Sequence, residues 1–174
     1  MQKVFAAILS AAALWCIPAA SIADEFLLSR WIQPVPRYSV LTNAGYYVWG
    51  GSVVEDQGQY HMFYERWSTN TYAWGDGWLF TAEICHAVAT NPAGPFVFTG
   101  VVLGKRTNDS AMGFWDSQVQ ENPHIRRFGN KFYLYYMASV DPGTNAWPGV
   151  NQRNRIQRNQ RIGVVVGNSI QGFA

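Results

Sequence analysis

Two segments of the chain share one pattern of hydrophobic and polar positions. Residues 58–64 and 130–136 each begin with a turn residue and a polar residue, and each continues as a run of aromatic and aliphatic side chains. The two segments are 72 positions apart, and short strand-like segments precede them at the same spacing, at 52–54 and 124–126. A strand, a tight turn and a second strand predict a β-hairpin, so the chain is expected to contain two hairpins.

Further strands are predicted downstream of each hairpin. Residues 84–91 and 162–169 are strand-length segments that end in polar turn residues, and residues 97–103 add a fourth strand to the first unit. We find no sustained helical period and therefore expect no helix in the mature chain. Four antiparallel strands repeated at a long spacing are typical of β-propeller blades, whereas a duplicated β-sandwich is the alternative. The pattern thus predicts an all-β protein, a β-propeller of four-stranded antiparallel blades, with blade-like units at 46–104 and 114–174.

The second unit lacks one strand of the first. The sequence ends just after Gly172, which matches Gly94, and so has no counterpart of the strand at 97–103. Only about two blades are therefore expected. Because a propeller needs about four blades to remove exposed strand edges, we expect a fragment of a longer protein or a chain that assembles with others.

The N-terminal segment predicts export. Lys3 is followed by an apolar run at 4–20 and by small residues, which is the pattern of a secretory signal peptide. We assign residues 1–23 to that peptide, 24–45 to a lead-in segment and 46–174 to the partial propeller. The protein is accordingly expected to be secreted or periplasmic, with no membrane anchor after signal cleavage.

Composition narrows the function classes. Aromatic residues make up 16% of the chain and charged residues 14%, which excludes a disordered protein. The net charge of +2 gives no reason to expect nucleic-acid binding. Cys85 is the one cysteine beyond the predicted signal peptide, so no intramolecular disulfide is expected. The three histidines have no zinc-site spacing, and we expect neither a metal nor another cofactor.

Several segments together resemble a known group of enzymes. They are residues 48–52, 58–64, 83–87, 91–96, 121–125, 131–136 and 161–163. These segments are similar to those of the five-bladed propeller glycoside hydrolases, the group that includes families 43, 32, 62 and 68, and the likeness covers roughly residues 45–174. The resemblance implies a propeller that is five-bladed in its full-length form, of which this chain is an N-terminal part.

The resemblance also implies a mechanism based on carboxyl groups. In these enzymes, three carboxyls from successive blades meet at the mouth of a central funnel, and the first commonly lies in an Asp-Pro pair that opens the innermost strand. Hydrolysis of a glycosidic bond needs at least an acid and a base or nucleophile. Here the matching positions are Gly50 and Gly51 in the first unit, and Asn122 and Pro123 in the second. Neither pair carries a carboxylate.

The candidate catalytic residues are therefore Asp116 and Glu121, which both precede the predicted second inner strand. Asp116 would tune the site or act as base, and Asn122 would bind a sugar hydroxyl. The alternatives are that Asp116 caps a turn and that Glu121 is a solvated charge. The further candidates for substrate binding in the inner-strand region are Trp49, Trp115 and His124.

Two long loops add further candidates. The segment 65–81 is rich in Trp and Tyr and, through Trp74, could form a platform for a sugar ring. The segment 139–160 contains Arg155 and Arg158, whose guanidinium groups suit an anionic polysaccharide. The alternative for these arginines is a solvated surface loop.

These features favour a glycoside hydrolase-like protein that cleaves a polysaccharide or oligosaccharide by carboxylate acid/base catalysis, with a catalytic set that is incomplete in this chain. A non-catalytic carbohydrate-binding propeller is the alternative, and the missing Asp-Pro carboxylates would explain it directly. A purely structural exported β domain is a third possibility.

Overall fold

The computed structural model describes residues 32–72, 74–106 and 113–173. The chain divides into two units, Met1–Pro34 and Val35–Ala174, and both β-sheets belong to the second. The predicted signal peptide, at 1–23, lies outside the described residues.

The first sheet contains four antiparallel strands in sequential order. They are β1 (Tyr46–Asp56), β2 (Gln59–Ser68), β3 (Glu83–Ala89) and β4 (Val97–Leu103). The β1–β2 hairpin turns at Gln57 and Gly58, which have φ values of 52° and 76°. Two consecutive left-handed residues match the twist of the strands that they join, and glycine adopts this conformation without steric strain.

The second sheet repeats the first three strands. It contains β5 (Val119–Phe128), β6 (Lys131–Ser139) and β7 (Arg161–Gly167), again antiparallel and in sequential order. The two hairpins and the strands that follow them confirm the predicted repeat. The described part of the chain thus contains a four-stranded blade and three strands of a second one.

The expectation of no helix is wrong. Helix α1 (Trp74–Thr81) lies between β2 and β3, and helix α2 (Gln152–Arg158) lies between β6 and β7. Short 3-10 helices span Arg37–Ser39 and Ile170–Phe173. Both α-helices are too short to be stable alone, so tertiary packing must stabilise them.

Each α-helix has an identifiable source of stability. In α1, Leu79 is fully buried and Gly77 packs against the ring of Trp67. In α2, Ile156 is fully buried, and the Asn151 side chain accepts a hydrogen bond from the Asn154 backbone N–H at 2.9 Å. An asparagine at this position satisfies one of the free N–H groups of the first turn.

The main core fills the space between the two sheets. Its fully or largely buried members are Phe63, Ile84, Ile125, Phe132, Leu134, Tyr136, Ala138, Ile170 and Phe173. The 3-10 helix after β7 closes this core, because Phe173 meets Phe63 edge to face with ring centroids 5.9 Å apart. A smaller cluster of Tyr64, Cys85 and Ala87 forms a second core in the first sheet.

Polar contacts fix the inner strands of the two sheets against each other. The hydroxyl of Ser52 in β1 accepts a hydrogen bond from the Ile125 N–H in β5 at 3.1 Å. The Gln120 N–H donates to the Ala82 carbonyl at 3.3 Å. The first two strands of each unit are therefore brought together, and a cavity opens at one end of them.

Candidate active site

A cavity of about 320 Å³ lies where the inner strands of both sheets meet helix α1. Strands β1, β2, β5 and β6, helix α1 and the residue before β7 all contribute side chains to its wall. The lining residues are Trp49, Glu65, Trp67, Trp74, Gly75, Trp78, Glu121, Asn122, Met137 and Gln160. This volume is in the range of small-molecule sites, about 300–1,000 Å³.

The sequence repeat places equivalent positions around the cavity. Trp49 and Glu121 are 72 positions apart, as are Glu65 and Met137. Trp49 pairs with Glu65 across the first hairpin, and Glu121 pairs with Met137 across the second. Each hairpin therefore supplies one apolar side chain and one carboxyl, but the carboxyl is on the second strand in one hairpin and on the first strand in the other.

A β-bulge at the same place in each inner strand gives this arrangement. The pairing register shifts between Trp49 and Gly51 in β1, and between Glu121 and His124 in β5. The residues at the two shifts, Gly50 and Asn122, both have positive φ values, of 34° and 48°. Because a bulge redirects the side chains beside it, both shifts determine which residues reach the cavity.

The second bulge also connects the two carboxyl groups. The backbone N–H of Asn122 donates a hydrogen bond to Oε2 of Glu65 at 3.0 Å, between the two sheets. Gln160 donates through Nε2 to Oε2 of Glu121 at 3.2 Å. The other carboxyl oxygen of Glu121, Oε1, is buried and has no hydrogen-bond partner among the residues that the structure describes.

Burial strongly perturbs both carboxyl groups. Glu65 is 2% exposed and Glu121 is 0% exposed. Desolvation raises the pKa of Glu65 to about 7, although the hydrogen bond from Asn122 opposes this change. Desolvation and the nearby Glu65 charge raise the pKa of Glu121 to about 8, against the bond from Gln160. The pair can therefore share a proton at neutral pH.

Indole rings form the wall above the carboxyl pair. Trp74 meets Trp67 and Trp49 with ring centroids 5.0 and 5.5 Å apart, and it meets Tyr47 edge to face at 5.0 Å. Trp67 is buried, whereas Trp49 and Trp74 are 53% and 46% exposed. The exposed indoles present apolar surface beside two buried acids.

Helix α2 is linked to the α1 side of this wall. Nε of Arg153 in α2 donates to Oδ1 of Asp76 in α1 at 2.8 Å. Both side chains are about half exposed, so this ion pair orients the helices more than it stabilises them.

The structure brings four of the predicted site residues together. Glu121, Asn122, Trp49 and Trp74 all line the cavity. The other five predicted residues, Asp116, Trp115, His124, Arg155 and Arg158, are not among its lining residues.

Asp116 belongs to a buried polar cluster. The Tyr136 hydroxyl donates to Oδ2 of Asp116 at 2.7 Å, and Arg106 forms an ion pair with Oδ1. Trp115 stacks on Tyr136, with centroids 5.9 Å apart. His124 is exposed and accepts a hydrogen bond from Arg126 at 2.8 Å.

The two predicted arginines differ in their surroundings. Arg155 is buried and donates to both carboxyl oxygens of Asp141, at 2.8 and 2.7 Å, and to the Val150 carbonyl at 2.7 Å. It thereby fixes the loop between β6 and β7. Arg158 is exposed at the end of α2.

The sequence pattern predicts Glu65 only at the start of a loop and indicates no role for it. The structure places it inside β2, opposite Trp49. One signal was available in the sequence, because Glu65 and Met137 occupy equivalent positions of the repeat. Gln160 and Met137 were also not predicted as site residues.

Neither a candidate metal site nor a helix that could span a membrane occurs among the described residues. Within residues 32–72, 74–106 and 113–173, no three His, Cys, Asp or Glu side chains are grouped so that they could hold a metal ion. In the same part of the chain, no helix has the length and apolar character needed to cross a membrane.

Comparison with solved structures gives the fold. A family 117 glycoside hydrolase produced by the marine bacterium Zobellia galactanivorans matches with a TM-score of 0.51 and 16% identity, over 72% of this chain and 36% of that one. The GH43_1 enzyme from Xanthomonas citri, complexed with xylotriose, matches with a TM-score of 0.46 and 18% identity, over 71% and 30% of the two chains. A family 43 β-xylosidase/α-arabinofuranosidase from a compost microbial metagenome, in complex with xylotriose, matches with a TM-score of 0.47 and 19% identity, over 71% and 32%.

The sequence matches no protein-family model, and it matches no curated protein. The chain spans about a third of the length of the solved structures described above. Its two antiparallel sheets correspond to part of a larger propeller. The fold is therefore that of a partial β-propeller, similar to the propellers of glycoside hydrolases.

Proposed function

We propose that the cavity binds a saccharide and that Glu121 and Glu65 act on its glycosidic bond, so that the protein functions as a glycoside hydrolase. The observation that carries the proposal is the pair of buried carboxyl groups beneath an indole wall, one of them with an oxygen that has no partner among the described residues. The fold is consistent with this function but does not establish it.

The indole wall suits a sugar ring. A pyranose or furanose presents a face of C–H groups, which packs well on an aromatic ring. Trp49 and Trp74 expose about half of their surface at the cavity, so their rings are available for such contacts. Asn122 is exposed at the rim and supplies an amide for a sugar hydroxyl.

The different surroundings of the two carboxyl groups suggest their roles. Burial raises the pKa of Glu121 to about 8, and its Oε1 has no hydrogen-bond partner among the described residues, so Glu121 is the proposed acid, which transfers its proton to the glycosidic oxygen as the C–O bond breaks. Glu65 accepts the Asn122 N–H, which favours its ionised form. It is the proposed base: water adds its oxygen to the anomeric carbon and gives a proton to Glu65.

The arginines between β6 and β7 are not part of this proposal. The guanidinium group of Arg155 is already engaged by Asp141 and the Val150 carbonyl. An anionic polysaccharide therefore has no prepared partner at Arg155.

The full chain should be titrated with a panel of neutral and amino-substituted oligosaccharides while tryptophan fluorescence is recorded, and release of reducing ends should be followed in parallel. We expect Trp74→Ala to weaken binding at least tenfold. Trp147→Ala is the matched control, because Trp147 does not line the cavity, and it should leave the affinity unchanged. Glu121→Gln should retain binding and lose at least a hundredfold in turnover.

The outcomes separate the parts of the proposal. Binding with release that depends on Glu121 supports it. Binding without release by the wild-type chain would limit the function to carbohydrate recognition and overturn the hydrolytic part. If no oligosaccharide binds, the proposal is wrong.

A further inference from the structure

The charge of the cavity differs from that of the protein as a whole. The chain carries a net charge of +2, but the described residues that line the cavity include two carboxyl groups and no lysine, arginine or histidine. Four of the ten lining residues are tryptophans. The cavity therefore combines a carboxyl pair, which can share a proton and whose remaining charge is negative, with electron-rich aromatic faces.

The indoles that line the cavity are tilted against one another rather than forming one flat surface. Trp74 lies at 41° to Trp67 and at 66° to Trp49, with all three rings within 5.5 Å of a neighbour. Trp78 adds a fourth indole to the lining from the same helix as Trp74. Indole faces at different angles around a small volume are the usual arrangement for binding an organic cation, because the negative face of each ring attracts it.

Nearby arginines are already neutralised by other partners. Arg153 forms an ion pair with Asp76, and Arg155 forms a two-bond ion pair with Asp141. Arg66, next to Glu65 in β2, forms an ion pair with Glu83 and lies against aromatic rings, including that of Tyr46 at 4.0 Å. The two cavity carboxyls thus have no cationic partner among the side chains that line the cavity with them.

The second independent observation is an unsatisfied acceptor. Oε1 of Glu121 is buried without a hydrogen-bond partner among the described residues, and Glu121 belongs to the cavity lining. Buried polar atoms are normally paired, so an isolated one beside a cavity indicates a missing donor or charge. A protonated amine supplies both, and a quaternary ammonium group supplies the charge alone.

We propose that the saccharide bound in this cavity carries a positively charged nitrogen, as in a sugar with a protonated amine or a quaternary ammonium group. This inference rests on the proposed saccharide-binding function and names its substrate class. The charged nitrogen lies among the indoles near the Glu65–Glu121 pair, and the sugar ring packs on the exposed faces of Trp49 and Trp74. A uronic or sulfated sugar is excluded from the same site by like charge.

The proposal can be tested with ligands that differ only in charge. The full chain should be titrated with a glucosamine trimer, its N-acetylated form, its N-trimethylated form and a uronic acid trimer, and separately with tetramethylammonium alone. The trimethylated form keeps its charge at every pH. We expect both cationic trimers to bind at least tenfold more tightly than the N-acetylated trimer, and the uronic acid trimer to bind most weakly. Added salt should weaken only the cationic ligands.

Variants identify the groups responsible. The double variant Glu65→Gln/Glu121→Gln keeps the shape of both side chains and should lose at least tenfold in affinity for the trimethylated trimer while retaining the N-acetylated one. Glu55→Gln is the matched control, because Glu55 lies near the end of β1, accepts a hydrogen bond from the Gly58 N–H at 2.8 Å and does not line the cavity. If the double variant fails to fold, Trp74→Ala, tested against tetramethylammonium, provides the second measurement.

The possible results distinguish the two proposals. If neutral trimers bind as tightly as cationic ones, the saccharide function stands and the charge preference is wrong. If tetramethylammonium binds and no trimer does, the cation site stands and the saccharide function is wrong. If the uronic acid trimer binds best, or if no ligand binds at all, the inference is overturned.

Discussion

The contact between helix α1 and Trp67 gives a sharp test of how the cavity wall is built. A Cβ atom added at Gly77 would lie 2.3 Å from Cδ1 and 2.9 Å from Nε1 of the Trp67 indole. Trp67 is buried and is held by Tyr47 and Trp74, with ring centroids 5.8 and 5.0 Å away. Since the ring cannot yield, Gly77→Ala must move the helix.

The magnitude follows from two opposing effects. Overpacking a buried contact costs about 1–3 kcal/mol, and a separation far below 3 Å puts this contact at the upper end of that range. Replacing glycine by alanine in a helix recovers roughly 1 kcal/mol. We therefore expect Gly77→Ala to reduce the free energy of unfolding by about 2 kcal/mol.

Gly75 provides the matched control in the same helix. A Cβ atom there would have nothing within 4 Å, so Gly75→Ala should be neutral or stabilise the protein by up to about 1 kcal/mol. The measurement is urea unfolding of both variants, followed by far-ultraviolet circular dichroism and extrapolated linearly to water. If Gly77→Ala is as stable as Gly75→Ala, helix α1 does not pack on Trp67 as described.

Three further predictions concern the carboxyl pair, the core and the second polar cluster. The pKa values of about 7 for Glu65 and about 8 for Glu121 exceed the ordinary value of 4.5, so the folded state retains protons that the unfolded state releases. The free energy of unfolding should therefore fall as pH rises from about 5 to 8. Urea unfolding at several pH values should show that this free energy depends less on pH in Glu121→Gln. If the pH dependence is the same in Glu121→Gln, the buried carboxyl pair is not its cause. Phe63→Ala removes a fully buried ring between the sheets and should cost about 3–5 kcal/mol in urea unfolding, whereas a loss below about 1 kcal/mol would be inconsistent with that packing. Asp116→Asn should lower the melting temperature, because it weakens the bonds to Tyr136 and Arg106, yet leave ligand affinity unchanged; a tenfold loss of affinity would place Asp116 in the site.

The strands were predictable because local rules decide them. Residues 58–64 and 130–136 each begin with a turn residue and continue as a largely aromatic run, and both fold as the second strand of a hairpin. Helix α1 was not predictable on the same basis. Its eight residues include two glycines and two tryptophans, and its stability comes from contacts with Trp67 that only the folded chain provides.

The role of Glu65 was missed because of a single bulge. If β1 and β2 kept the pairing register that Asp56 and Gln59 set at the hairpin turn, Trp49 would pair with Arg66 instead of Glu65. A shift of one residue moves a side chain to the other face of a sheet, so the sequence pattern alone assigned no position to Glu65. The glycine pair at 50–51 was the available sign of an irregular strand.

The carboxyl pair has a consequence for how the protein unfolds. Glu65 belongs to the first sheet and Glu121 to the second, and the Asn122 N–H bridges from one sheet to the other. Neither sheet alone contains all the residues that line the cavity. A ligand in the cavity must therefore slow amide hydrogen exchange in both hairpins together. It also raises the free energy needed to separate the two hairpins, because it contacts both and is lost when they part.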